Sequence, residues 1–314
     1  MATETSHDPR LTKRVKPALP FDFRVTVSST HALKNLIEIV SNILTEAVFV
    51  VQVNEQFQGL RLDAIDAGHV CMVKARFQCQ VEFPRDKTGT QEFCVNMKVL
   101  MTFLKRAASS SVLELVRKEG DSNLILRVTD VEDFSEYTIP TVNQSHDEDL
   151  GMFDINAQHS VQIDLNKFKN FCKMAAEIQA TSVYLEIKDN DGGSDRVFTL
   201  GCGSERGQAT KHFHSSNVRA GESLPGGNDH TSDVIVCGKS RGFKDEDLKK
   251  FRTIYKHDYA TKYLVQFLKS MEKNTLYLAL APDYPMVMHY NLGTEQSHVR
   301  MIIAAQVSEE DEDA

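Results

Sequence analysis

The run LMTFLK at Leu100–Lys105 recurs as LVQFLK at Leu264–Lys269. Both copies have the apolar spacing of an amphipathic helix. Each is followed by a β-like run, VLELV from Val112 and TLYLAL from Thr275. The sequence therefore predicts one helix-and-strand unit that is used twice.

A second pair of segments repeats at a shorter offset. ALKNLIEIV from Ala32 resembles KFKNFCKMA from Lys167, and the β-rich runs AVFVVQV and SVYLEI follow them. The offset is 135 residues in this pair and 164 in the first, so the second copy contains an insertion of about 29 residues. Glycine, proline and polar residues favour residues 218–250 as its place, as a surface excursion. A spacing this long indicates a tandem domain duplication rather than a solenoid.

Length and composition fit two soluble domains. The chain has 314 residues, of which 41% are hydrophobic and 25% are charged, enough for two cores of roughly 130 residues. We see neither an apolar run of the roughly 18 residues that span a bilayer nor a signal peptide, so we expect a cytosolic or nuclear protein without a membrane partner. The six cysteines form no CxxC pair, so we expect no metal site and no redox pair.

The pattern predicts an α+β protein in which each half is mostly antiparallel sheet with two helices. We expect the helices at about residues 32–44, 97–108, 167–178 and 259–271. The expected organisation is a disordered basic arm at 1–20, a first domain at 21–140, a linker at 141–154, a second domain at 155–307 with the insertion at about 218–250, and an acidic tail at 308–314.

Lysines share one face of each predicted helix. In the second helix of each half they are seven residues apart, which places them on the same face within about 20°. A charged face opposite an apolar face is also what any solvated amphipathic helix shows. Four such helices in a chain of net charge -8 nevertheless predict a basic surface that attracts phosphates without reading bases. The lysines concerned are Lys34, Lys98, Lys105, Lys167, Lys169, Lys173, Lys262 and Lys269.

Several segments together resemble proliferating cell nuclear antigen, the DNA sliding clamp family, over residues 21–313 without the insertion. They are ALKNLIEIVSNILTEAVF, LRLDAIDAGHVCMV, VNMKVLMTFLK, the linker ending in LGM, YPMVMHY and VRMIIAAQVSEEDED. The resemblance implies a DNA-clamp fold and a homotrimeric ring that encircles double-stranded DNA, with helices lining the hole and sheets outside. It also implies a non-enzymatic processivity factor of DNA replication and repair in the nucleus, without a cofactor.

On the family's pattern, the residues at basic hole-lining positions are Lys34, Lys105, Lys173, Lys262 and Lys269. Lys98 and Lys167 join them as DNA-facing residues on helical spacing. Asn35, Ser41, Thr102 and Glu177 stand where the family commonly has a basic residue or histidine, and Glu38 lies one turn from Lys34. We therefore expect a less positive hole and a weaker grip on DNA.

The family's partner groove lies under the linker, where the resemblance implies docking of DNA polymerase, clamp loader, nuclease and ligase through short clamp-binding peptides. The matching residues here are Ile65, His69, Leu150, Met152, Pro285, Ile302, Ala304 and Ala305. Ala305 and Phe153 replace prolines of the family and Ile302 replaces a tyrosine, which keeps the groove apolar but changes its shape. Structural readings stay open beside this one: His69 as a hydrogen-bonding residue of a turn, and the linker triplet as a connector packed against a domain.

Ring closure in the family joins edge strands of neighbouring subunits, here roughly Phe134–Val142 and Gln208–Ser215. Pairing these edges would remove an aggregation hazard.

Other functions receive weaker support from the sequence. Gly201–Gly207 is glycine-rich but lacks the Gly-Lys-Ser/Thr ending of a phosphate loop, so a nucleotide-dependent enzyme is a remote alternative. His212 and His214 could share a strand face, without a third ligand at metal-binding spacing. Asp63 and Asp66 have no plausible acid/base partner. Within the clamp fold, the alternatives are a subunit of a heterotrimeric checkpoint clamp and a divergent viral clamp, which would act at a viral replication site.

Overall fold

A computed structural model describes residues 21–84, 89–144, 157–190, 195–215, 218–222, 232–237, 248–272, 275–282, 284–294 and 296–306. The predicted arm at 1–20, Leu150, Met152 and Phe153 of the linker, and the tail at 308–314 lie outside the described residues.

The described residues of the first half form ten strands and two helices. In chain order they are β1 (Phe21–Val27), α1 (Thr30–Ser41), β2 (Glu46–Val53), β3 (Gln58–Ile65), β4 (Cys71–Gln78), β5 (Gln80–Glu82), β6 (Gln91–Asn96), α2 (Met97–Leu104), β7 (Val112–Lys118), β8 (Leu124–Thr129), β9 (Phe134–Ile139) and β10 (Thr141–Val142).

The described residues of the second half likewise begin with a strand and a helix, but six strands separate its two helices and three follow the second one. They form β11 (His159–Asp164), α3 (Leu165–Glu177), β12 (Ser182–Asn190), β13 (Arg196–Ser204), β14 (Gly207–Ser215), β15 (Val218–Glu222), β16 (Ser232–Val236), β17 (Phe251–Ala260), α4 (Thr261–Leu268), β18 (Thr275–Leu280), β19 (Met286–Thr294) and β20 (Ser297–Ile303).

The repeated runs of the sequence are helices at the expected offsets. The starts of α1 and α3 are separated by the shorter offset, and both the starts and the ends of α2 and α4 by the longer one. Side chains fix two of the starts, because Asn96 accepts hydrogen bonds from the backbone N–H groups of Lys98 and Val99, and Asp164 accepts one from Lys167. The bounds differ from the predicted ones by up to four residues, since apolar spacing does not mark the caps.

The strands form three sheets. Their strand orders are β5-β1-β7-β8-β9, β10-β6-β2-β3-β4-β20-β19-β18-β11-β16-β15 and β14-β13-β12-β17. The eleven-stranded sheet joins the two halves through the antiparallel pair β4·β20, in register from Cys71 opposite Ile303 to Arg76 opposite His298. One pair of the described strands, β11·β16, is parallel.

The structure adds two features to the second half. The expected surface excursion contributes two strands, because β16 extends the large sheet beside β11 and β15 pairs with β16. The ten-residue strand β17 lies between the insertion and α4, where the sequence pattern indicates no strand. Its side chains alternate poorly between buried and exposed, and its pairing with β12 has a register shift at Ile187/Lys188. The apolar period on which the prediction relied is therefore weak there.

The helices and sheets enclose a common hydrophobic core. Alternate strand residues such as Val73, Val299 and Met301 pack in the same core cluster as helix residues Leu36 and Leu264. The helices pack in pairs, α1 with α2 and α3 with α4, and α1 also contacts α4 across the two halves. The six cysteines are free thiols, four of them buried and two partly buried, as expected for small apolar side chains.

Candidate nucleic-acid interface and partner groove

The four helices carry far more positive than negative charge. With the residues that cap their C-termini they contain eight lysines and two glutamates, Glu38 and Glu177. The chain as a whole has a net charge of -8, so the charge is segregated onto the helices. Such a surface is suited to a polyanion with a regular phosphate spacing.

Two of these lysines donate hydrogen bonds to carbonyl groups at helix C-termini. The Lys34 ammonium donates a hydrogen bond to the carbonyl of Ala107, just beyond α2. Lys169, its counterpart at the shorter repeat offset, donates to the carbonyls of Lys269 and Met271 beyond α4, at 2.7 and 3.0 Å. The same cap is thus present in both halves, with the positive charge at the negative end of the helix dipole. Lys34 therefore has a structural role beside any DNA contact.

Charged residues of both halves influence the pKa of Lys169. Burial lowers the pKa of Lys169, the charge of Lys173 lowers it further, and Glu272 and Glu38 act in the opposite direction. Glu38, expected to neutralise Lys34 on its own helix, is thus also close enough to influence Lys169 of the other half.

The remaining predicted DNA-facing lysines differ in exposure. Lys167 is half-buried, and the exposed residues are Lys98, Lys105, Lys173, Lys262 and Lys269. Both members of each pair spaced by seven residues are exposed, which is the geometry that the helical spacing predicts.

An apolar row crosses five strands on the face of the large sheet opposite the helices. Register places Ile65 opposite Met72, Met72 opposite Ile302, Ile302 opposite Val287 and Val287 opposite Ala279. We refer to these five residues as the apolar row. Four of them form a small buried cluster separate from the main core, with Ile65 and Ala157 packed against it.

The turn between β3 and β4 is organised by Asp66. Its buried carboxylate accepts hydrogen bonds from the backbone N–H groups of Gly68, Val70 and Cys71, at 2.7–2.9 Å, and from the Tyr263 hydroxyl at 2.7 Å. Burial alone would raise the pKa of Asp66, but these hydrogen bonds hold it below its ordinary value. Since Tyr263 belongs to α4, this bond ties the turn to the other half.

His69 lies in this turn with its side chain exposed. Its φ of 54° is in the left-handed region, and its backbone N–H donates to the Asp66 carbonyl at 2.9 Å. Because the backbone, and not the ring, makes this bond, the imidazole is presented to solvent beside the apolar row.

The end of the chain reaches the same turn. The backbone N–H of Ala304 donates to the Val70 carbonyl at 3.2 Å. Pro285 immediately precedes β19, whose Met286 is opposite Ile303, and the neighbouring Tyr284 is 43% exposed. The structure therefore brings Ile65, His69, Pro285, Ile302 and Ala304 to one end of the sheet.

Two parts of the predicted groove are placed differently or lie outside the described residues. Ala305 packs against the main core. Leu150 and Met152 are not described, but the residues that flank their segment are. Gln144 accepts a hydrogen bond from the Cys94 thiol at 3.7 Å, and Ala157 contacts the apolar cluster.

Tyr263 and Tyr284 were not identified from the sequence as residues of this site. Asp66 was treated as a carboxylate without a role. A signal for Asp66 was present, since aspartate before a small-residue turn commonly accepts hydrogen bonds from the turn's backbone. The partner, Tyr263, is far away in the sequence and has no local signature.

The glycine-rich segment is a β-hairpin. Gly201 and Gly203 lie in β13 and Gly207 in β14. A Cβ at Gly201 would lie 1.9 Å from the Tyr184 ring, so this glycine makes room for an aromatic side chain.

The remaining candidate groups have structural partners. His212 Nδ1 is 2.9 Å from Thr199 Oγ1, His214 Nε2 is 3.7 Å from Asp195, and Asp63 is 3.0 Å from Arg61. Within the described ranges, no helix has the length and apolar content of a membrane span.

Comparison with known proteins identifies the fold. The structure is similar to the crystal structure of proliferating cellular nuclear antigen from Entamoeba histolytica, with a TM-score of 0.70 and 13% sequence identity. The match covers 91% of this chain and 100% of that one. No protein-family model matches the sequence, and no curated protein matches it. The α+β clamp fold expected from the sequence is thus confirmed.

Proposed function

We propose that this protein is a DNA sliding clamp: a homotrimeric ring that encircles duplex DNA and holds replication and repair enzymes on it, without catalysis of its own. The observation that carries the proposal is the duplicated fold, in which one strand pair joins the halves within the chain and the two equivalent strands lie at sheet edges among the described residues.

The closed seam is the strand pair β4·β20. Its counterparts by the internal repeat are β14 in the second half and β9 in the first, and each lies at the edge of its sheet. Pairing β9 of one copy with β14 of the next would repeat the internal seam and propagate the chain head to tail. Three copies would give six similar units around a hole.

Exposure of equivalent residues supports this closure. His298 of β20 is 7% exposed because β4 covers it, whereas Phe134, its counterpart in β9 at the longer repeat offset, is 58% exposed. The register of the internal seam, carried over by the two repeat offsets, would place Lys211 of β14 opposite Phe134 of β9. A neighbouring copy would cover the aromatic residue and pair these edges.

The helices supply the DNA-facing surface in this proposal. They carry the lysine excess on the side of the sheets away from the apolar row, so DNA and partner proteins would use opposite faces. Contacts from lysine to phosphate do not depend on base sequence, which suits a ring that moves along DNA.

The partners would dock at the apolar row and the adjoining turn. Peptides with aromatic and aliphatic anchors need an apolar surface with a few polar contacts at its rim. The apolar row, the exposed His69 and the exposed Tyr284 provide such a surface. We infer that DNA polymerase, clamp loader, nuclease and ligase peptides are of this type, and that the protein acts in the nucleus.

The first experiment is size-exclusion chromatography with light scattering at micromolar concentration. We expect three times the mass of one chain. A strict monomer would contradict the homotrimer, and pairing only with a different clamp subunit would favour a heterotrimeric checkpoint clamp instead.

The second experiment tests the DNA-facing surface. Replacing Lys105 and Lys269 by alanine should reduce loader-dependent polymerase processivity several-fold and weaken its dependence on salt, because two phosphate contacts are lost. The matched control replaces Lys249 and Lys250, two exposed lysines outside α1 to α4. Equal processivity in both variants at physiological salt would show that Lys105 and Lys269 do not contribute to the contact with DNA.

A further inference from the structure

Four cations adjoin the apolar row on the same face of the large sheet. Along β3, β4 and β20 they are spaced from the apolar row by two or four residues, which keeps them on one face. Register places Lys74 opposite Arg300 and Arg76 opposite Arg61. We refer to Arg61, Lys74, Arg76 and Arg300 as the cationic patch.

Negative charge compensates the cationic patch only in part. In the described cross-strand rows that contain it, the carboxylates are Asp63, whose Oδ2 is 3.0 Å from Arg61 Nε, and Glu92, which lies two strands from Arg61 across Val50. The neighbours of Arg300 and Arg76 across β20 and β19 are the buried residues His289 and His298, and Arg300 Nε donates to His289 Nδ1 at 3.1 Å. The cationic patch therefore has four cations and two carboxylates in its cross-strand rows, so positive charge remains in excess on this part of the face.

Mutual repulsion within the patch adds to the effect of burial on the pKa values of two of its members. Burial lowers the pKa of Lys74, Asp63 acts in the opposite direction, and the charges of Arg300, Arg61 and Arg76 lower it further. Burial and the charge of Arg76 also lower the pKa of Arg300. An anion placed on this surface would relieve this repulsion.

The patch faces away from the proposed DNA-binding surface. Val73, Val299 and Met301 alternate with patch residues along β4 and β20 and pack in the helix-containing core. The patch side chains therefore project from the opposite face of the sheet. DNA that contacts the helices would not reach them.

We propose that the cationic patch binds acidic residues of a peptide whose apolar anchors occupy the apolar row. This inference rests on the proposed function, because it deepens the description of the partner groove. Neighbouring rows are about 7 Å apart along the strands, so the acidic residues would follow or precede an anchor by one to four positions. Arginine suits this role because its planar guanidinium binds carboxylates in a bidentate manner.

A peptide fits this combined surface better than a nucleic acid does. The apolar row extends across five strands, about 19 Å at the usual strand spacing, and offers nothing to a sugar-phosphate backbone. A ligand that binds both the apolar row and the cationic patch must carry apolar and anionic side chains close together.

The test compares two fluorescent peptides by polarisation. Both carry the same aromatic and aliphatic anchors, followed by Asp-Glu-Asp in one and by Asn-Gln-Asn in the other. We expect the acidic peptide to bind about tenfold tighter at low salt, the combined effect of three partly exposed ion pairs. The preference should shrink near 0.5 M salt, where the screening length falls to about 4 Å.

Single substitutions test whether the cationic patch causes the preference for the acidic peptide. Arg76→Glu changes an exposed residue and should reduce the preference to about twofold or less, while binding of the neutral peptide is unchanged. The matched control is Arg252→Glu, an exposed arginine in the four-stranded sheet, which should keep the tenfold preference. Met72→Asp in the apolar row should weaken both peptides.

Contrary outcomes separate this inference from the proposed function. Equal affinity of the two peptides, with both weakened by Met72→Asp, overturns the role of the patch and leaves the groove in place. Failure of both peptides to bind overturns the groove and the patch together. Displacement of the acidic peptide by a short DNA duplex, undiminished by Met72→Asp, assigns the patch to phosphates and also overturns the proposal.

Discussion

At the scale of single residues, two buried histidines contribute to the seam between the halves. His289 and His298 are 2% and 7% exposed, and their ring centroids are 5.0 Å apart. Burial, and after it the charges of His298 and Arg300, lower the pKa of His289 to about 2. Burial and the charges of Arg300 and Arg76 lower that of His298 to about 3. Both rings are therefore neutral in the folded protein at physiological pH.

We predict that acid destabilises the protein through these residues. An unfolded histidine takes up its proton near pH 6.5, so the unfolded state binds more protons than the folded state between pH 6.5 and about 3. Stability then falls as the pH falls, by up to about 1.4 kcal/mol per pH unit for each histidine. Urea unfolding at pH 7 and pH 5 should show a smaller loss for His289→Gln than for the unaltered protein. The control is His31→Gln at an exposed site, and an equal loss in both variants would contradict the prediction.

Individual contacts also show which features of the site could be predicted from the sequence and which could not. Ile65 and Ile302 belonged to the groove predicted from the family resemblance, and the structure brings them into one row. The bond from Tyr263 to Asp66 and the opposition of Lys74 and Arg300 were not predicted. Both depend on cross-strand register and on packing between the halves, which leave no periodic signal in either segment.

At the scale of elements, the helices were predictable and one strand of the second half was not. Apolar spacing located the four helices α1 to α4 of the described residues because each packs one face on a sheet. The strand β17 escaped prediction because it has mixed polar and apolar side chains. The repeat itself was visible because the same core contacts recur at fixed offsets.

The repeated lysine cap leads to a prediction about helix ends. Lys34 and Lys169 each donate to a carbonyl beyond the second helix of their half. Replacing either by methionine keeps the aliphatic stem but removes the charged donor, so we expect a loss of about 1 kcal/mol in the free energy of unfolding. Chemical denaturation measures this loss.

Lys98→Met is the matched control for this prediction, since Lys98 is exposed in the first turn of α2. It should leave stability nearly unchanged and reduce DNA binding. The prediction is wrong if Lys34→Met and Lys98→Met have the same effect on stability.

At the scale of the whole molecule, the contact between α1 and α4 predicts the contact between copies. Asn35 and Asn42 of the first half donate to Ser270 just beyond α4, at 3.1 and 3.0 Å. The shorter repeat offset maps Asn42 to Glu177, and the longer one maps Ser270 to Arg106. Both equivalents are exposed in the single chain, and in the proposed ring they would meet across the junction as an ion pair.

We therefore predict that charge reversal at either position weakens the trimer. Arg106→Glu or Glu177→Arg should shift the oligomer toward smaller species in light scattering, because like charges would face each other across the junction. Combining both changes in one chain should restore assembly. Unchanged assembly in both single variants would contradict this placement of the junction, and an additive loss in the double variant would do so too.

The seam β4·β20 has a consequence for how such a ring would open. In the proposed trimer, half of the six seams lie within a chain, where the two strands are tethered and separate only when the chain unfolds. The other half join different chains and can dissociate at low concentration. A loading enzyme could thus open the ring at any of three equivalent junctions between subunits. The opened ring would be a linear trimer with β9 unpaired at one end and β14 unpaired at the other.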